Sequence, residues 1–113
     1  MKNKVQKLIS AVLLTFAVTG NAAPSELLKV RGQLNSTLTE FTELVGSMTD
    51  GGALSKSEGL QIQVRLESSQ KGWSQYASNY CALSRSTSNC MVRKMTERIA
   101  ELESQKVHLL SGE

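Results

Sequence analysis

The reading of the fold turns on W-S-Q-Y-A-S-N-Y-C at 73–81, A-L-S-R-S-T-S-N at 82–89 and C-M-V-R-K-M-T-E-R at 90–98. This stretch holds the only tryptophan, both tyrosines and both cysteines of the chain. The residues between the cysteines are mostly Ser, Thr and Asn, the composition of a connector. One helix is therefore expected to end near Cys81 and another to begin near Cys90, with Ser88 or Asn89 as its cap.

The redox state of those cysteines depends on compartment, and the start of the chain speaks to that. Lys2, Lys4 and Lys7 precede an apolar run from Leu8 to Val18, and Gly20, Asn21, Ala22 and Ala23 follow as a small-residue exit. This is the pattern of a secretory signal peptide, read here as residues 1–22 with cleavage after Ala22. A membrane span needs about 20 apolar residues, and this run is well short of that. The mature chain, 23–113, is then one domain, placed in the periplasm or secreted. In an oxidising compartment an even count of two cysteines favours a Cys81–Cys90 disulfide. Cys-x8-Cys with one distant histidine, His108, lacks the four ligands of a closed zinc site. The C-x-x-C spacing of a redox dithiol is absent too.

Charge narrows the partners. The whole chain carries 13 basic and 10 acidic residues, but three lysines fall in the leader and no acid does, so the mature chain is balanced. Its basic residues are spread along the sequence and do not cluster on one element, which argues against a nucleic-acid partner. No membrane span is expected in the mature chain.

Working outward, Leu27, Val30, Leu34, Leu38, Phe41, Leu44, Val45 and Met48 recur in steps of three and four, the stripe of an amphipathic helix that begins near Pro24 and Ser25. Thr49 to Lys56, with Asp50-Gly51-Gly52, reads as the loop that ends it. Ser57 is the expected cap of the next helix, with Glu58 in its first turn. Leu60 to Leu66 alternates as a strand would, yet Ile62, Leu66, Ser69, Trp73, Tyr76 and Tyr80 follow helical steps and no second strand exists to pair with the first. The third helix carries Met91 or Val92, Met95, Ile99, Leu102 and Leu109. The fold expected is all-α, three helices up-down-up, with one disulfide from the end of the second to the start of the third. Trp73, Tyr76, Leu66, Phe41, Leu34, Met95, Ile99 and Leu102 are its expected core, supported by hydrogen bonds from Arg98 and Gln70. The alternative for the aromatics is a groove lined by Trp73, Tyr76 and Tyr80 that receives another protein.

No catalytic set emerges. His108 has no acid in its turn to orient it, and the serines lack the adjacent base that activates a nucleophile. Glu97, Glu101 and Glu103 read as a solvated face. No enzymatic activity, cofactor or metal is expected. The loop between the cysteines is the better site candidate: a segment pinned at both ends loses less entropy on binding. Arg85, flanked by Ser84 and Ser86 and close to Tyr80, presents a guanidinium suited to gripping a carboxylate with two parallel hydrogen bonds.

Gln70, Trp73, Tyr76, Cys81, Cys90, Arg98, Glu101 and Leu102 together resemble the small exported bacterial domain of the LprI lysozyme-inhibitor family. Such domains show a Q-x-x-W-x-x-Y motif, a cysteine eight residues after the tryptophan, a second cysteine and a closing R-x-x-E-L. Leu34-Asn35 is similar to an early L-N of that family. This chain has Ala77-Ser78 where the family commonly has Arg-Asp, and Thr96 stands two residues before Arg98 instead of three. The resemblance implies a helical, disulfide-closed protein that binds and inhibits an exported or invading protein, most plausibly a lysozyme-type hydrolase. The alternative is a periplasmic immunity or accessory protein that binds a different toxin or an envelope complex.

Overall fold

The computed structural model describes residues 24–112, which form three α-helices and no strand. Helix α1 spans Pro24–Asp50, α2 spans Lys56–Ala82 and α3 spans Thr87–Ser111. The chain runs up, down and up, so α1 and α3 are parallel and share the most extensive interface, while α2 lies antiparallel against both. The expected all-α hairpin arrangement is therefore the one found, and Cys81 and Cys90 form a disulfide with Cα atoms 5.4 Å apart. The leader read at residues 1–22 lies outside the described residues. Among the described residues no helix is long and apolar enough to cross a membrane.

Each helix starts and stops for a local reason. Pro24, which has no N–H to leave unpaired, opens α1. After Asp50 the chain reverses through Gly51 and Gly52. Gly52 takes φ +85°, a left-handed conformation that glycine adopts without Cβ strain. The backbone N–H groups of Gly51, Gly52 and Leu54 donate to carbonyls of Ser47, Thr49 and Met48, satisfying groups the helix end would leave open.

Ser55, and not the expected Ser57, caps α2. Its hydroxyl accepts from Glu58 N at 3.0 Å while its own N–H donates to Glu58 Oε1 at 2.9 Å. This reciprocal box needs Ser and Glu three apart, which Ser55 and Glu58 satisfy and Ser57 does not. Ser86 caps α3 by accepting from Asn89 N, so α3 starts earlier than a cap at Ser88 or Asn89 would give. The connector shrinks to Leu83–Ser86, because Thr87, Ser88 and Asn89 tolerate the first turn of a helix once the cap precedes them.

The core is a stripe on α1 (Val30, Leu34, Phe41 and Val45) packed against Leu66 of α2 and Met95 and Leu102 of α3. Leu27, Leu38, Ile62, Trp73, Met91, Val92, Ile99 and Leu109 close over it as partly buried neighbours. Tyr76 was expected in this core and is not there: it is 52% exposed. The buried face of α2 passes through Leu66, Ala77 and Cys81. Ala77, 0% exposed and one turn before Cys81, takes the inward position, and Tyr76 is turned to the flank. Close approach explains Gly59: a Cβ there would lie 2.2 Å from the Thr49 hydroxyl of α1.

Two polar groups sit on the α1 stripe. Thr37 is neutralised locally, donating to Gln33 O at 2.9 Å. Glu26 is 2% exposed, and its Oε1 has no hydrogen-bond partner. Burial pushes its carboxyl pKa up, and nearby Lys29 offsets this only in part. A raised carboxyl pKa means the folded state holds its proton more tightly, so stability is gained on acidification through that pKa and lost as pH rises through it. Glu26→Gln should flatten this part of the stability–pH profile and raise the melting temperature at pH 7. Thermal melts from pH 4 to pH 8 check it, and equal slopes in both proteins would refute it.

Candidate functional site

The α2–α3 hairpin brings together most of the residues that sequence singled out. At its closed end, Ser84 N donates to Cys81 O at 3.0 Å and Leu83 N to Tyr80 O at 3.3 Å, completing the end of α2. Ser86 N donates to Ser84 Oγ, and that hydroxyl donates in turn to Ser86 O, both at 3.2 Å. Thr87 Oγ1 reaches back to Cys81 O at 3.4 Å. The hydroxyls of Ser84 and Ser86 are thus occupied in shaping the turn, a role distinct from the partner contact expected of them. What the turn presents outward is Leu83, 91% exposed, and Arg85, also exposed.

One turn along, Tyr76 and Tyr80 stand side by side with ring centroids 5.7 Å apart. Lys94 of α3 crosses to them: its ammonium lies 4.2 Å from the Tyr80 ring centroid and 3.4 Å from Tyr76 Oη, to which it donates. Glu97 Oε1 is 3.5 Å away on the same side. Desolvation pulls the Lys94 pKa down, but the bond to Tyr76 and the Glu97 and tyrosine charges outweigh it, and the net direction is up. The ammonium is therefore a fixed positive point on an aromatic platform. Arg93 folds back along the same helix, with Nη2 3.9 Å from Cys90 Sγ.

Deeper in the seam, Arg98 is 4% exposed. Its Nε donates to Gln70 Oε1 at 3.0 Å and its Nη2 to Ser69 Oγ at 3.1 Å, while Nη1 pairs with Glu101. Its guanidinium carbon lies 6.0 Å from the Trp73 ring centroid. Arg98 and Gln70, expected as hydrogen-bond support, thus bond directly to each other across the two helices. The Tyr76 hydroxyl accepts from Lys94. Glu101, read as part of a solvated face, has one oxygen committed to this clasp although the side chain is 56% exposed. Of the residues that carried the resemblance, Gln70, Trp73, Arg98 and Glu101 meet in the α2–α3 seam and Cys81–Cys90 closes its end, while Tyr76 lies exposed on the flank and Leu34 and Leu102 pack in the core.

Sequence reasoning missed Lys94, because its value comes from tyrosines 14 and 18 positions earlier that only the hairpin brings near. The signal was nonetheless there: Tyr76 and Tyr80 are four apart on α2 and share a face. His108 sits at the rim of a cleft with Arg65, Ser69 and Gln105, floored by Phe41, Leu66 and Leu109. Among the described residues no three of His, Cys, Asp and Glu converge as metal ligands would. Compared with models of protein families, with curated proteins and with solved structures, the chain matches none.

Proposed function

We propose that this chain is an exported protein inhibitor, periplasmic or secreted, that acts by binding a lysozyme-type cell-wall hydrolase and not by turnover. One observation carries the reading: the short turn closed by Cys81–Cys90 holds its own polar groups internally and offers Leu83 and Arg85 to solvent. Pre-ordering of this kind lowers the entropy a partner must overcome. The leader pattern and the likeness to the LprI inhibitor family support the same reading. A hydrolase of that class carries paired carboxylates in its cleft. Arg85 has the planar, permanently charged head that grips a carboxylate, and Leu83 supplies an apolar anchor beside it.

Mature, oxidised protein mixed with lysozymes of several classes should slow lysis of a peptidoglycan suspension by at least one of them. Arg85→Ala should weaken that inhibition by about 30-fold, the loss expected of a central arginine contact worth about 2 kcal/mol. Unchanged melting of the variant would show that the loss is one of binding. No inhibition and no complex with any lysozyme would sink the hydrolase reading, and a periplasmic pull-down that returned an unrelated toxin would replace it with an immunity role.

A further inference from the structure

The linear sequence scatters its charges, but the fold sorts them. Residues 24–33 and 74–97 make up the disulfide end of the bundle, where α1 begins, α2 ends and α3 begins. Lys29, Arg31, Arg85, Arg93 and Lys94 lie there, against only Glu97 and the buried Glu26. The opposite end carries Glu40, Glu43, Asp50, Glu58, Glu67, Glu101 and Glu103 against fewer bases. Acids there also capture cations: Lys106 is shared by Glu40 at 3.3 Å and Glu103 at 3.0 Å. A chain with a balanced mature charge is therefore a molecule with a basic pole and an acidic pole.

We infer that the basic pole, centred on Arg85, Arg93 and Lys94, is a docking surface for an acidic face of a partner protein. The inference deepens the binding reading above and rests on it. Three features favour a protein over an anionic bilayer. Lys94 is held in place by Tyr76, Tyr80 and Glu97, and a fixed cation suits a fixed carboxylate, whereas mobile lipid headgroups gain little from fixed geometry. Arg85 lies in the α2–α3 turn while Lys94 lies on α3 against Tyr76 and Tyr80 of α2, so the bases are not confined to the tip of the bundle. Half-exposed tyrosines on α2 and an exposed arginine in the adjoining turn are residue types that dominate binding energy at protein interfaces.

The test uses immobilised poly-L-glutamate as the acidic polypeptide, with mature, oxidised protein. Two variants carry the same change in net charge at opposite poles: Arg85→Glu/Arg93→Glu/Lys94→Glu at the disulfide end, and Lys56→Glu/Arg65→Glu/Lys71→Glu at the other. None of the six side chains is in the buried core, and circular dichroism verifies that both variants stay helical. The first variant should lose at least about tenfold more affinity than the second at low salt, and the difference should shrink as salt screens it. Equal losses would mean that overall charge alone governs binding and would overturn the inference. Binding of wild-type protein to phosphatidylglycerol vesicles but not to poly-L-glutamate would overturn it in favour of a membrane. If no lysozyme is inhibited yet the two poles still differ, the acidic-surface inference stands and only the hydrolase identity falls. If a lysozyme is inhibited equally by wild type and by the first variant, the hydrolase reading stands and this inference falls.

Discussion

Replacing both Cys81 and Cys90 with alanine should lower the melting temperature by about 10–20 °C. Closing a loop of this length removes unfolded-state entropy worth about 2.5 kcal/mol, and each kcal/mol shifts the midpoint of a domain this size by roughly 4–8 °C. The location adds to the effect. Of the buried residues on α2 only Leu66 has a large apolar side chain that is not part of the disulfide; Gly59 and Ala77 contribute little area. The second helix is thus the one least secured by its own packing, and the sulfur bridge holds its far end. Both sulfurs are themselves shut off from solvent, with Cys81 at 0% and Cys90 at 1% exposure. Hydrogen exchange in the double variant should rise first between Ala77 and Leu83, at the freed end of α2. A melting temperature within a degree or two of wild type would show that helix packing alone holds the hairpin.

Leu102→Ala should cost about 3 kcal/mol, read as a lower urea midpoint with an unchanged slope. Leu102 is 0% exposed and lies on α3 among the core residues of α1. Its truncation leaves a cavity in the parallel α1–α3 interface, the largest of the three, which cannot close without moving one helix against the other. Leu110, on the same helix but 62% exposed, is the matched control, and Leu110→Ala should change stability by less than about 0.5 kcal/mol. Comparable losses at the two positions would contradict the packing described.

Both results read what holds the molecule together, and the binding experiments above read what it does. The clasp of Arg98, Gln70, Ser69 and Glu101 belongs with the first: it faces inward, with Trp73 beside it. The residues behind the family likeness are therefore mainly those that set the hairpin. Leu83, Arg85, Tyr76 and Tyr80 face solvent, with Lys94 largely covered against the two rings, and these are the residues proposed to meet a partner.

Much of the fold was legible because helical periodicity is a local property. The α1 stripe follows from Val30, Leu34, Phe41 and Val45, and the hairpin follows from a polar segment between two cysteines. The caps were misplaced because several hydroxyl residues compete at each boundary: the reciprocal bond between Ser55 and Glu58 decides at α2, and the bond from Asn89 N to Ser86 Oγ decides at α3. Tyr76 was misplaced for a different reason. Periodicity gives a broad face but not which residue lies at its centre, and the buried line of α2 runs through Leu66, Ala77 and Cys81, which leaves Tyr76 on the flank.

By itself the sequence determined three amphipathic helices, their order and the pairing of the cysteines, because each depends on residues near one another in the chain or on a count that admits one answer. Tertiary structure alone decided that scattered bases gather at one pole, that Lys94 reaches two tyrosines on another helix, and that Arg98 is buried in a seam. Those outcomes depend on how parallel and antiparallel helices bring distant segments to the same height, and no local pattern encodes that distance.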